Sequence, residues 1–466
     1  MPPGRSSLHA WTHARVLRLS ASDTRVIAST ANRRSELMAA IQAFLAFFCL
    51  LAAYFVLRPV RDQLGGAVGA VALPWFYGAT FVATLVLTPV FGGLAARLPR
   101  RRLLTWTYGF FVLCLLAFAP AFAAQARIGA FTLGVVFFVW VSVFNLFVVS
   151  LFWSFMADVF VSASARRLFP RIALGGTAGA LTGPLLTSLL VGVIGVAPLL
   201  VVSAGLLLLA LALMLRIGRG AGARPADGLA LGGSLWAGLR QVFSEPFLRR
   251  MALLMLLGDG VGTVAYALVA DYVKTHLAGA AARTAFYAHM DLATNLLVVV
   301  LQSGVSSWLL ARRPGPTWGL VLPALVNVAV LGAIAVLGPV ALPLPWLDLT
   351  AGMPLVWVGV PLLALLQILT RGFTYGMLTP AINALYTRVA REARYKGKNF
   401  IETTVWRFGD VAVTTTLNAL RGLGVGLAGL ALLSGLGAAA AARIGYRAAH
   451  SEDLAPEALP RSGRRA

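Results

Sequence analysis

Four arginines and a set of carboxylates interrupt otherwise apolar sequence, and they are the residues able to do chemistry. In Tyr54-Phe-Val-Leu-Arg58-Pro-Val-Arg61-Asp62, at the end of the first long apolar segment, Arg58 and Arg61 are three apart and Arg58 and Asp62 four apart. On a helix all three share one face. An arginine at the centre of a membrane helix costs about 2.5–3.5 kcal/mol on insertion scales, so charge there tends to persist where it does a job. Later segments add Asn145, Arg371, Glu402, Arg407 and Asp410. Asp410 follows Arg407 by three and can share its face, whereas Glu402 precedes it by five and belongs near the start of that helix. An arginine fork suits phosphate and carboxylate alike. The expected ligand is therefore a small anion held between Arg58 and Arg61 on one side and Arg371 and Arg407 on the other. Asp259, Asp271 and Asp291 are candidates for proton or cation binding, with span-end or packing roles as the plainer alternative, and His289 reads as a satisfied polar residue. Arg58 also has a plainer reading: about 21 residues into its segment, roughly 31 Å along a helix, it could snorkel to the outer interface. Two arginines at an outer end run against the usual charge bias of membrane proteins, which favours the binding role.

The elements that must carry these charges are membrane helices. The chain has 466 residues, 59% hydrophobic and 12% charged, with a mean hydropathy of +0.83. Apolar stretches of about 20 residues, enough to cross a roughly 30 Å hydrocarbon core, recur twelve times. They fall near 37–60, 72–95, 103–124, 129–156, 172–194, 196–215, 251–273, 285–310, 318–340, 352–374, 400–420 and 423–442. A net charge of +23 would fit a nucleic-acid partner, but 31 of the 39 Lys and Arg lie in the N-terminal tail, the even-numbered connections and the C-terminal tail. Such alternation is the positive-inside pattern, so both termini are expected in the cytoplasm and no nucleic acid is expected. The fold class that follows is an all-α polytopic membrane protein of about twelve transmembrane helices.

Its organisation reads as a basic cytoplasmic tail (1–35), a six-helix half (36–215), a cytoplasmic linker (216–249), a second six-helix half (250–445) and a cytoplasmic tail (446–466). Residues 1–35 lack the apolar core of a signal peptide, and Trp11 to Ile27 could instead form a basic amphipathic helix on the inner leaflet. Glycine, proline and arginine make 216–249 a flexible linker, with a short amphipathic helix expected at Leu235 to Phe243. Cys49 and Cys114 lie in apolar segments as small buried hydrophobes, giving neither a disulfide framework nor a metal site. No phosphate-cradling glycine loop, metal-spaced His or Cys cluster or nucleophile elbow is present, so an enzyme is not expected and no cofactor is implied. Without an ATP-binding domain, transport would run on ion gradients or exchange.

Six plus six spans about a basic linker is the plan of the major facilitator transporters. Gly92-Gly-Leu-Ala-Ala-Arg97-Leu-Pro-Arg100-Arg101-Arg-Leu-Leu104 resembles that family's loop signature between helices two and three, with Ala96 in place of its acid and Pro99 in place of its glycine. In the fifth span Gly175, Gly179 and Gly183 recur every four residues before Pro184. Close helix packing is the plainer reading; the pattern also resembles part of an antiporter signature whose trailing glycine pair is missing here. Three longer stretches are similar to a narrower family, the ADP/ATP translocases of intracellular bacteria and plastids. The first is Tyr54 to Asp62, with Arg61 where that family has lysine. The second comprises Leu151-Phe-Trp-Ser-Phe-Met-Ala-Asp158 and Ala165-Arg166-Arg167-Leu-Phe-Pro-Arg-Ile172. The third, Tyr395-Lys396-Gly-Lys398-Asn-Phe-Ile-Glu402-Thr-Thr-Val-Trp-Arg407-Phe-Gly409, resembles its Lys-Gly-Lys, acid and Arg-Leu-Gly run. The order and spacing agree over roughly residues 40–420. At Pro380-Ala-Ile-Asn383, however, the family's lysine-glutamate pair is missing.

The resemblance implies a nucleotide-exchange carrier, a bacterial homologue residing in the inner membrane. The residues alone lead to a carrier of an anionic or amphipathic solute working by alternating access, and with the resemblance that solute is expected to be nucleotide-like or otherwise phosphorylated. The alternatives are a proton-coupled exporter of drugs or lipid-like amphiphiles and, from another class, a non-transporting membrane scaffold or sensor. Arg97, Arg100 and Arg101, then Asp158 with Arg166 and Arg167, and Lys396 with Lys398 are read as cytoplasmic gating elements. The partners expected are the lipid bilayer and the solute, with the chain a monomer.

Overall fold

Backbone crossing a bilayer must satisfy its hydrogen bonds internally, and the protein, in a computed structural model that describes residues 7–160, 162–220, 235–312, 315–342, 360–389, 397–398 and 400–454, is built almost wholly of helices. The first half holds α1 (Ser7–Val68, crossing over Glu36–Val68), α2 (Leu73–Arg97), α3 (Arg100–Ala123), α4 (Ala130–Val159), α5 (Ser162–Ile194) and α6 (Ala197–Gly220). In the second half are α7 (Pro246–His276), α8 (Ala280–Leu310), α9 (Gly315–Leu337), α10 (Leu362–Tyr386), α11 (Trp406–Gly422) and α12 (Leu427–Ala449). Eleven of these are long and apolar enough to cross a membrane, and α11, carrying Arg407, Asp410 and Arg421, makes the twelfth. A helix at Leu235–Ser244 occupies the position expected in the linker. A two-residue antiparallel ladder pairs Ala341 with Pro361 and Leu342 with Val360 ahead of α10.

Several span boundaries differ from the sequence reading, and two of them bear on the site. α1 runs to Val68 rather than ending near 60, because the charges that lower hydropathy at Arg61 and Asp62 do not themselves break a helix, which continues through Gln63 and Leu64. Arg58 therefore lies ten residues short of the helix end (68 minus 58), and the snorkelling reading loses its basis. α10 begins after Pro361 and reaches Tyr386, some ten residues later than expected, since a proline caps the helix start where hydropathy averages across it.

Both ends of the bundle have a distinct construction. Gly69, Gly129, Gly195, Gly279, Gly338 and Gly424, with φ between 74° and 89°, stand in the six odd-numbered connections, one in each. At that end of the bundle, opposite the termini, each of these glycines makes a positive-φ bend beside a helix end. The halves also meet there in a shared apolar cluster, in which Phe76, Tyr77 and Phe138 pack with Tyr266, Phe286 and Tyr287. Towards the termini, residues 242–454 keep an apolar cluster of their own. Between the halves, α1 packs on α7 and α8, α5 on α8 and α2 on α11. Adding six to each helix number exchanges the last two pairs, as expected for two repeats about a pseudo-two-fold axis.

The glycine stripe of α5 is packing. A Cβ on Gly175 would stand 2.3 Å from the Phe44 carbonyl oxygen and one on Gly179 2.4 Å from that of Phe48, so α1 and α5 touch backbone to backbone. This contact fixes the shaft of α1 that carries Arg58.

Candidate functional site

The site is built on α1 from the first half and α7, α8, α10 and α11 from the second. On α1, Pro59 supplies no N–H to the Phe55 carbonyl one turn before it, yet the helix continues unbroken through Arg61 and Asp62. On α7, Asp259, Thr263 and Tyr266 follow at i, i+4 and i+7; on α8, Tyr287, Asp291 and Thr294 do the same; on α10, Gln367 and Arg371 are four apart. Each helix thus turns one polar stripe inward.

The charges arrive as pairs. Arg58 Nη1 lies 3.5 Å from Asp291 Oδ1, joining α1 to α8 across the halves. Arg61 donates from Nε to Asp62 Oδ1 at 2.8 Å and stacks its guanidinium 4.5 Å over the Phe138 ring. Tyr266 on α7 donates its hydroxyl to the same Asp62 oxygen at 3.1 Å, a second link between halves. Arg371 Nη1 donates to Asp259 Oδ1 at 3.2 Å, and Arg407 Nη1 stands 3.8 Å from Asp410 Oδ2. Thr263 donates to the other Asp410 oxygen at 2.7 Å. Asp62, Asp291 and Asp410 are 3%, 7% and 4% exposed. Isolated charges at that depth would be untenable, and the four arginines with four aspartates cancel pair by pair.

One cavity collects the central part of this layer, lined by Arg58 and Asp62 of α1, Tyr266 of α7, Tyr287, Met290, Asp291 and Thr294 of α8, and Gln367 and Arg371 of α10. Four of its polar atoms, Tyr287 Oη, Asp291 Oδ2, Gln367 Oε1 and Arg371 Nε, are buried without a hydrogen-bond partner among the described residues. Buried polar groups are usually satisfied, so unspent donors and acceptors facing one cavity are what a polar ligand would use. On the side away from the termini, Gly65 and Gly66 let the tyrosines close over it: a Cβ on Gly66 would be 2.9 Å from Tyr287 Oη, and one on Gly65 3.0 Å from Tyr266 Oη.

Of the residues singled out from sequence, Arg58, Asp62, Asp291 and Arg371 meet at the cavity, with Arg61 and Asp259 directly behind as their partners. Arg407 and Asp410 join the layer through Thr263 on α7. Asn145 is half-buried on α4, outside the cavity wall. Glu402 sits in a π-helical turn at the start of α11, 3.6 Å from Lys398 Nζ, and Lys398 also donates to Asn383 Oδ1 at 2.8 Å. Asp271 is at the opposite end from the termini, pairing with Arg421 of α11 at 2.5 Å and accepting the Ala70 N–H at 2.7 Å. Among the gating residues, Arg97 and Arg101 are exposed beside the second connection, Arg167 stands 3.7 Å from Glu36 Oε2, and Asp158 lies near the end of α4. Arg100 and Arg166 lie on the helices, and Lys396 falls outside the described residues. Sequence reasoning missed Tyr266, Tyr287, Thr263, Thr294 and Gln367; their three-, four- and seven-residue spacing from the aspartates and from Arg371 was the available signal.

No family model and no curated protein matches the sequence. Solved structures do match over nearly the whole chain. A bacterial homologue of the iron transporter ferroportin in an inward-facing state is 12% identical with a TM-score of 0.58, covering 89% of this chain and 98% of its own. The nucleoside transporter NupG is 14% identical at a TM-score of 0.56, covering 89% and 98%. A bacterial homologue of the human lysosomal transporter Spinster, inward-facing and unoccupied, is 12% identical at 0.57, covering 91% and 99%. All three are transporters, and the chain shares their fold; its long apolar helices are those of a multi-pass membrane protein.

Proposed function

We propose that the chain is a secondary transporter of a bacterial inner membrane that binds an anionic, nucleotide-like or otherwise phosphorylated solute and moves or exchanges it by alternating access. The observation that carries this reading is the convergence of Arg58 from one half and Arg371 from the other on a single cavity at the junction of the halves. A ligand spanning both arginines would be held by both moving bodies, which is what alternating access asks of its substrate. The Arg371 Nε and Tyr287 Oη donors, without partners among the described residues, add directional contacts for phosphoryl oxygens. In this reading the termini face the cytoplasm, and the conformation is inward-facing, shut at the end where Asp271, Lys274 and Asn418 bind the α1–α2 turn.

Three features support the finer likeness to nucleotide exchangers: Arg58 and Asp62 of the first resembling stretch stand at the cavity, Arg407 of the third stands in the same charged layer, and Lys398 sits at the cytoplasmic mouth. The test is stabilisation of the purified protein by ATP, ADP, inorganic phosphate and sugar phosphates, followed by exchange in loaded proteoliposomes. At least one phosphorylated ligand should raise the melting temperature, and Arg58→Ala and Arg371→Ala should abolish that rise. Stabilisation by none of them would refute the anion assignment.

A further inference from the structure

We propose that the transported anion displaces Asp291 from Arg58 and that Asp291 takes up one proton as it does so, so that anion and proton move together. The inference rests on the anion-carrier reading and adds its coupling ion.

The argument is one of charge balance in a buried place. Each arginine of the layer already faces an aspartate, so an incoming anion meets no free positive charge. Three of the four aspartates keep a partner whatever the ligand does. Asp62 holds Arg61 and Tyr266, Asp410 holds Arg407 and Thr263, and Asp259 can keep Arg371 Nη1 while Arg371 Nε turns to the ligand. Asp291 has a single ion-pair partner among the described residues, Arg58, and its second oxygen has no hydrogen bond. Arg58 spent on a ligand would leave a carboxylate that is 7% exposed beside a second negative charge. An unpaired buried charge of this kind costs several kcal/mol, and the usual escape is neutralisation.

The surroundings offer Asp291 no substitute cation. From α1 it is faced by Arg58, Arg61 and Asp62, with Arg61 committed to Asp62. Tyr266 of α7 is committed to Asp62 as well. α10 brings Arg371, held by Asp259, and Tyr375 beside Arg58. On α8 itself stand Tyr287 and His289, and α5 contributes backbone, the Ala180 carbonyl receiving Asn295. The step balances: Asp291 carboxylate plus a proton gives the carboxylic acid as the anion takes Arg58, and release of the anion returns the proton and restores the ion pair. Because this pair also joins the halves, protonation and substrate binding together loosen the contact that must change when they rock.

The experiment counts protons. Calorimetric titration of the full-length protein at pH 8, where phosphate groups are fully ionised, uses ATP, ADP and inorganic sulfate as probes in two buffers of different ionisation heat. One proton taken up per bound anion is expected, with Kd rising about tenfold per pH unit on the alkaline side. Asp291→Asn should bind with no proton uptake and a flat pH profile, whereas Asp291→Glu should keep the uptake. The wild-type count decides even if the asparagine variant does not fold. Binding without proton uptake by the wild type, or uptake that persists in Asp291→Asn, overturns this inference alone. Binding of none of the three anions overturns the anion reading and this inference with it.

Discussion

Removing the charge of Asp271 tests how the end opposite the termini is held shut. Asp271 Oδ1 accepts the Ala70 N–H at 2.7 Å from the first half, and Oδ2 pairs with Arg421 at 2.5 Å within the second. Asp271→Asn keeps an acceptor for Ala70 but turns a charge-assisted bond into a neutral one, a loss of about 1 kcal/mol. The ion pair disappears too. Its side chains are 34% and 25% exposed, so screening limits its share to about 0.5–1 kcal/mol. Lys274 on the Val68 carbonyl and Asn418 on those of Ala70 and Val71 remain, so closure weakens without being abolished. The Asp271–Arg421 pair lies wholly in the second half and is the same open or closed, so it bears on stability alone; the weakened Ala70 bond, about 1 kcal/mol, lowers the closed-to-open ratio roughly 5-fold. Spin labels at Val71 and Leu423, 71% and 81% exposed and on opposite halves at this end, report that ratio by pulsed dipolar spectroscopy. The longer-distance population should grow by that factor in the variant. An unchanged distance distribution would refute the assignment of Asp271 as the clasp.

Other substitutions probe the packing and the charge layer. Gly66→Ala places a Cβ 2.7 Å from Val273 Cγ1, so the same labels should show this end opening, and unaltered closure would count against the tyrosine lid. Gly179→Val drives a side chain into the Phe48 carbonyl and should lose about 1–3 kcal/mol, seen as a lower thermal midpoint, whereas Gly78→Ala, with nothing within 4 Å, should be neutral. Arg371→Ala strands Asp259 and should lose about 3–5 kcal/mol. Adding Asp259→Asn to it should restore folding yield in detergent without restoring anion binding. Arg167→Ala, its side chain 61% exposed against Glu36, should change the melting temperature little, corresponding to under about 1 kcal/mol.

The helices were legible because hydrocarbon thickness and backbone satisfaction leave few alternatives, and α2 and α3 fall close to the expected spans. Ends were less legible: an average over hydropathy registers Arg61 and Asp62 as an end, although the helix continues through Gln63, Leu64 and the Gly65–Gly66 pair. Arg58, Asp62 and Arg371 could be read as site residues because charge in apolar sequence is costly. Their uncharged neighbours could not be weighed that way, since a tyrosine or glutamine in a membrane helix is cheap enough to serve packing alone. The spacing did place Asp410 on the face of Arg407, but pairing between helices was invisible for another reason. Which aspartate meets which arginine depends on the relative rotation of α1, α8 and α10, and spacing within one helix carries no information about it. The sequence places Arg58, Arg61 and Asp62 on one face, whereas only the fold shows Arg58 facing Asp291 and Asp62 held by Arg61.

The repeat symmetry of the helices is not shared by the charges, and the difference bears on how binding and motion are linked. The first half brings its charge to the layer on α1 alone, whereas the second brings charge on α7, α8, α10 and α11. When the halves rock, Arg371–Asp259 and Arg407–Asp410 travel as units inside the second half and keep their lengths. The contacts that must change are Arg58–Asp291 and Asp62–Tyr266, which cross from one half to the other. Substitutions should therefore fall into two kinds. Changes at Asp259 or Arg407 alter ligand affinity with little effect on the open-to-closed ratio in the absence of ligand. Changes at Asp291 or Tyr266 alter both, because the groups that meet the ligand there also hold the halves together. Spin-label populations of the ligand-free variants separate the two kinds, and a shift as large for Arg407→Ala as for Tyr266→Phe would show that the layer moves as one body.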